Sequence, residues 1–391
     1  MTLPLEGIKV LDLSRLLPGP FASQILSNFG AEVIKVEDTG LGDYLRLIPP
    51  VINDMSALFH SINRGKKSIK IDLSKSDGQE LFKKIAAGAD VLLEGFRPGV
   101  MDKLGVGYNE LHQINPRLIY CSLTGYGSSG PYRDHAGHDL NYLSYSGIAG
   151  LTGRAGEQPV IPGLQIADIG GGALWAVIAI LMALQARSIT GQGQFCDTAM
   201  MDGVVSWMPF ALALWNAGDP LPRRSREVLN GGYACYNIYE TSDDKYVSIG
   251  AIEYKFWADF CSKLDKADLA PRQMDPAQQE TMIAELSALF KTRTRDEWVD
   301  LFKDSDVCFS PVLEFEEAAQ SQHLRERQMI IEVDDEGFKG RVMGNPIKLS
   351  ETPGQVPTHA PLPGEHTDDL LTQLGLTAEQ ITELRVRGII G

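Results

Sequence analysis

Apolar and polar positions along this chain change period in a repeated way. Residues 8–13 (IKVLDL) are a short apolar, β-branched run between Gly7 and Ser14, the pattern of a buried strand. PFASQILSNFG follows with helical spacing and stops at Gly30, and residues 32–37 (EVIKVE) return to strand spacing. Strand, helix and strand in roughly 30 residues is the unit that a parallel sheet requires. The alternation recurs. Residues 68–73 (SIKIDL) precede a helix, SKSDGQELFKKIAAG, for which Ser74 is the expected N-cap. Residues 89–95 (ADVLLEG) and 118–127 (LIYCSLTGYG) add two more strands. The prediction is an α/β fold with a doubly wound, Rossmann-like large domain.

From 170 to about 217 the pattern is mainly helical, interrupted by a short strand, QFCDTA. Its longest apolar run, Ala173 to Leu184, is too short to span a bilayer and reads as a buried helix. Leu221-Pro222 and Asn230-Gly231-Gly232 punctuate the chain. Beyond them KYVSIGA reads as a strand, with helices near 253–265, 276–291, 295–304 and 314–325, a smaller α+β domain. The expected division is a large domain over 1–200, a linker over 201–230 and a small domain over 231–330. A return segment over 331–391, Pro-rich and then helical at 367–387, packs on the large domain.

Length supports two domains, since 391 residues exceed what one core organises. A net charge of −15 offers no basic face for nucleic acid. One local concentration of base, Arg64-Gly65-Lys66-Lys67 with Lys70, is either a solvated loop or an anion contact. The five cysteines are scattered without a CxxC pair, which fits a reducing, cytoplasmic compartment and neither a disulfide framework nor zinc. The N-terminus carries no charged-then-apolar leader and the C-terminus no peroxisomal address, so neither membrane nor export is expected.

Three segments could carry chemistry: Gly137-His138-Asp139-Leu140-Asn141-Tyr142, Ala167-Asp168-Ile169-Gly170-Gly171-Gly172, and Gly250-Ala251-Ile252-Glu253. Asp168 precedes a long apolar helix, so it reads first as an N-cap. Three glycines exceed what a cap needs, and they leave room for a ligand oxygen at the exposed amides of a helix start. His138 is suited to proton transfer near neutrality, whereas nothing distinguishes the neighbouring His135. Glu253 reads as the cap of the next helix or as a carboxylate that orients an imidazole. No GxGxxG follows the first strand, where Leu16-Leu17-Pro18-Gly19-Pro20 stands instead, which argues against a nicotinamide or flavin site. P-loop, HExxH and GxSxG patterns do not occur.

At these residues the chain resembles the class III CoA-transferase superfamily and, within it, the α-methylacyl-CoA racemases. The likeness runs the whole length, through PGPFAS, GAEVIKVE, NRGKKSIKIDL, ADVLLEGFRPGVMDKLG, NPRLIYCSLTGYGSSGP, AGHDLNY, GQGQFCDTAMMDG, YVSIGAIE and GEHTDDLLTQLG. It implies an interlocked homodimer with each active site between the large domain of one subunit and the small domain of the other. It implies an acyl-CoA substrate, with coenzyme A as part of that substrate and no metal or redox cofactor. Asp168 matches the aspartate of both branches, a nucleophile in transferases and a proton-transfer base in racemases. His138 in AGHDLNY and Glu253 in GAIE match the racemase pattern, in which the glutamate pairs with the histidine; Tyr142 would help position that histidine. Arg97, Lys66 and Lys103 would approach the CoA phosphates, with Leu16, Gly95 and Phe96 along its path. Two positions depart: Asp38 and Lys103 stand where racemases often have arginine. Ser14-Arg15-Leu16-Leu17 and the segment Ser56 to Asn63 look more like transferases.

Overall fold

The computed structural model describes residues 2–52, 55–335 and 338–391. Six strands build the large sheet: β1 (Lys9–Asp12), β2 (Glu32–Glu37), β3 (Lys67–Lys70), β4 (Val91–Glu94), β5 (Ile119–Thr124) and β6 (Phe195–Ala199), in the order β3-β2-β1-β4-β5-β6. Every neighbouring pair is parallel. Strands covered on both faces can be apolar throughout, and β4 and β5 are buried along their whole length. β6, at the edge, has exposed positions. The order reverses between β1 and β4. Connections there leave in opposite directions and open a crevice beyond the carboxyl ends of those strands. The α/β expectation therefore holds.

Two local expectations differ. β3 ends at Lys70, because Ile71 pairs antiparallel with Ile390 from the end of the chain. The following helix begins at Ser76, with Lys75 at the N-cap position, and the Ser74 hydroxyl donates to Asp72 instead of capping.

The chain divides into two compact units. The larger runs to Ser146, resumes over Gly163–Trp207 and includes Arg325–Gly391; the smaller takes Gly147–Pro162 and Met208–Leu324. Within the larger unit, helices α1 (Pro18–Asn28), α2 (Ser76–Ala86), α3 (Asp139–Ser146), α4 (Leu174–Thr190) and α5 (Met200–Val205) accompany the sheet. The C-terminal helices α6 (Thr367–Gln373) and α7 (Ala378–Val386) belong to the same body. Leu370, Leu371, Ile381, Ile389 and Ile390 join Leu11, Ile34, Ile69 and Phe82 in one core. The smaller unit has an antiparallel sheet, β7 (Tyr236–Glu240), β8 (Tyr246–Gly250) and β9 (Phe309–Val312), ordered β9-β8-β7 over a core of Trp257, Phe260, Phe290 and Trp298. Residues 147–162, assigned to the large domain on sequence, go with the smaller unit. Arg224 donates to the carbonyls of Gly150 and Glu157, and Ser225 to that of Gly153.

α4 is not buried all round. Ala176, Val177, Ile180 and Ala183 face the core, while Leu174, Trp175, Ile178, Leu181 and Met182 are exposed. With the turn before it, the helical stretch over Ala167–Thr190 is long and apolar enough to cross a membrane, by length and composition alone.

Candidate active site

A cavity of about 450 Å³ occupies the crevice beyond β1 and β4. Its wall comes from the loop after β1 (Ser14, Arg15, Pro18, Gly19), the loop after β4 (Gly95, Phe96, Arg97) and the loop after β5 (Thr124, Gly125, Tyr126). Residues 133–142 close it, contributing His138 and Tyr142 together with Arg133, His135 and Asn141. His135, which the sequence left undistinguished, thus shares the wall, edge-on to Tyr126 at 6.3 Å between ring centroids.

Buried charge shapes the β1 loop. Asp12 accepts from the Ser14 amide at 3.0 Å, from both the Ser14 and Ser23 hydroxyls, and from Lys66 Nζ at 3.2 Å. Lys66 also donates to Pro20 O (2.9 Å) and Asn63 Oδ1 (2.8 Å). Its three N–H bonds are thereby used, and its side chain is fully buried. Burial pushes the Lys66 ammonium down, against the pull of Asp12; the Asp12 carboxyl, despite its own burial, is held low by Lys66 and Lys35. Lys66 holds the loop together, and a CoA phosphate would have to break that set of bonds to reach it. Leu16 sits at φ 62° with its amide on Asp43, outside the cavity wall, and Lys103 is exposed outside it too. Arg15 stands at the cavity instead. Its guanidinium bonds Asp38 (2.8 Å) and Tyr44 (2.8 Å) and lies 5.4 Å from the Phe96 ring. The Asp38 departure thus anchors an arginine in the cavity wall.

His138 begins the turn into α3. Its amide donates to Asn141 Oδ1 (3.0 Å) and its carbonyl accepts from the Asn141 amide (2.8 Å), while the residue itself is exposed. Tyr142 is buried against two glycines: a Cβ at Gly125 or Gly137 would come within 2.3 or 2.8 Å of its ring. Its hydroxyl donates to Gly137 O at 2.6 Å, fixing the peptide that carries His138.

Asp168 lies in a wide, π-helical turn, Ala167–Ala173, ahead of α4, and caps nothing with its side chain. Burial, then Asp139, push its carboxyl up to about 6, with His138 acting the other way. A carboxyl so placed exists in both protonation states near neutrality, as a proton carrier must. Two amides expected to be open to a ligand oxygen are taken: Asp168 N donates to Asp139 Oδ1 (3.0 Å) and Ile169 N to Gln165 O (3.1 Å). The glycines serve packing. A Cβ on Gly170 would meet Trp207 at 2.3 Å, one on Gly172 would meet Met200 at 2.6 Å, and one on Gly171 would meet Val204 and the Met200 carbonyl within 2.6 Å. Read along the chain they suggest a ligand role because their neighbours lie about thirty or more residues on, in α5 and at Trp207 just after it.

Glu253, in the smaller unit, occupies the N-cap position of the helix Tyr254–Lys263, yet makes no cap hydrogen bond and is exposed. The capping explanation is therefore removed.

Glu94 ends β4 and accepts from the Phe96 amide at 2.7 Å. Burial pushes it up to about 7, against its bonds to Ser122 and Phe96. The folded state thus binds this proton more tightly than the unfolded chain, so stability is fully present below the unfolded value of 4.5 and is lost as pH rises through about 7. Glu94→Gln should match the parent at pH 4 and exceed it at pH 8 by on the order of 2 kcal/mol in urea unfolding. Equal stabilities at pH 8 would contradict this.

Comparison with known proteins then yields four relationships. The family model for CoA-transferase family III matches residues 5–367. The chain is 37% identical to an alpha-methylacyl-CoA racemase of Mus musculus, covering 99% of this chain and 97% of the relative. It is 32% identical to a succinyl-CoA:glutarate CoA-transferase of Homo sapiens, covering 99% and 90%. Among solved structures, a CAIB/BAIF family protein from Brucella suis superposes with TM-score 0.82 at 32% identity, covering 96% of this chain and all of the other.

Proposed function

The chain belongs to CoA-transferase family III, an enzyme group that holds both racemases and transferases, and from that premise we propose that it inverts C2 of 2-methyl-branched acyl-CoA thioesters. The observation that carries this reading is His138 in the cavity wall with Asp168, outside that wall, near enough for the imidazole to pull its buried carboxyl down. A thioester α-proton is weakly acidic. One group removes it from C2, and the other returns a proton to the opposite face. An enolate forms between the two steps.

The thioester oxygen needs donors that stabilise the enolate. Tyr142 holds the His138 peptide in place. Arg97, Gly95 and Phe96 line the route for CoA, with Arg15 beside them; Lys66 is buried with its three N–H groups in use, and Leu16 and Lys103 lie outside the cavity wall. The scheme asks for no metal or redox group.

A second copy of the chain would complete the site by bringing Glu253 to His138. The exposed apolar face of α4 offers the kind of surface such an association covers. Five free cysteines suit a reducing, cytoplasmic setting.

The second reading is CoA transfer to a free carboxylic acid with Asp168 as nucleophile, favoured by relatives of that activity at 32% identity. A nucleophilic carboxylate works ionised, and the raised Asp168 carboxyl favours proton exchange. Incubation with a 2-methylacyl-CoA and a panel of free acids separates the two. The proposal expects no new thioesters by mass; their formation at the rate of turnover would overturn it.

A further inference from the structure

Asp139 stands beside the reacting carboxyl without a role in the scheme above. Its Oδ1 accepts two backbone amides, Ala167 N at 2.6 Å and Asp168 N at 3.0 Å. These open the helical stretch Ala167–Thr190, where amides lack partners inside the helix and a negative group is favoured. The contact is long-range in sequence and joins α3, which begins right after His138, to the segment that carries Asp168.

We propose that Asp139 is a positioning residue for Asp168: its Oδ1 fixes the two amides that open the Asp168 segment and sets a second carboxylate beside the reacting one. The inference rests on Asp168 being a reacting group, which both readings above share.

Several titratable groups lie on the elements around Asp168. His138 precedes α3 and Tyr142 lies on it; Asp197 is on β6 and Asp202 on α5. Apart from burial, Asp139 pushes the Asp168 carboxyl up and His138 pulls it down. Asp197 acts on Asp202 instead, and Tyr142 is kept neutral by burial and by Asp168. Asp139 is therefore the acidic neighbour that keeps Asp168 protonated at higher pH. Its single oxygen links geometry and charge: the bonds that orient Asp168 also bring a second carboxylate beside it.

Asp139→Asn tests this, because an amide oxygen still accepts both backbone bonds while the charge is gone. The readout is the titration of the Asp168 carboxyl by ¹³C NMR in aspartate-labelled protein, assigned by its loss in Asp168→Asn. We expect the Asp168 midpoint in Asp139→Asn to move toward acid by roughly 0.5 pH unit or more. The acid limb of the C2 exchange profile should move with it. Asp139→Ala should lose the orienting bonds as well, with kcat falling further than in Asp139→Asn. An unmoved midpoint in a folded Asp139→Asn protein would overturn the proposal, as would faster exchange in Asp139→Ala, which would make Asp139 a mere blocker of the amide. The titration needs no turnover. Absence of exchange in the parent would sink the racemase reading and leave this test standing.

Discussion

His138→Ala is expected to abolish interconversion of the C2 epimers of a 2-methylacyl-CoA, by about 10³-fold or more. Deuterium wash-in should persist from one epimer alone. The reason is geometric. If His138 and Asp168 serve opposite faces of C2, each removes the proton of one epimer only. Without the imidazole, Asp168 can still take up and return its own proton, but nothing delivers one to the other face. Asp168→Asn should give the mirror result, with exchange confined to the opposite epimer. The raised carboxyl of Asp168 gives that group access to both protonation states near neutral pH. Chiral separation with mass detection reads both quantities in one experiment. Interconversion that survived in His138→Ala within about tenfold would assign the second proton transfer to another group.

Gly203→Ala should have the largest effect on stability. The backbones of α5 and of the Asp168 turn meet at two glycines. A Cβ on Gly203 would lie 1.8 Å from the Gly171 carbonyl oxygen and 2.6 Å from Trp175. A backbone carbonyl cannot swing aside as a flexible side chain can, so the two elements must separate. Overpacking of this kind costs about 3 kcal/mol or more when the neighbour is rigid. The unfolding midpoint should drop accordingly. Because the displaced carbonyl belongs to the turn that carries Asp168, activity should fall even where the protein stays folded. A change below about 0.5 kcal/mol would mean that the turn yields easily.

Both expectations rest on contacts that sequence periodicity does not carry. The sheet was legible because buried parallel strands read as continuous apolar runs, as VLLE and IYCSLT do. The crevice was legible in part, since the first loop lacks a nucleotide fingerprint yet still leaves β1 at the point where the strand order reverses. The fate of Lys66 was not. In sequence it belongs to a basic run, whereas in the fold it meets Asp12 from a distant strand. Asp139 was overlooked next to His138 for the same reason: its partners are the amides of Ala167 and Asp168. Residues 147–162 carry no period of their own, so only their hydrogen bonds to Arg224 and Ser225 place them in the smaller unit. The exposed side of α4 looked buried because an apolar helix reads alike whether its partner is its own core or another surface.

The most direct measurement takes one pure C2 epimer of a 2-methylacyl-CoA in D₂O with the unaltered protein. The opposite epimer is expected to accumulate toward equal amounts and to carry deuterium at C2. Inversion without label, or thioester consumption with the starting epimer unlabelled and uninverted, would contradict it.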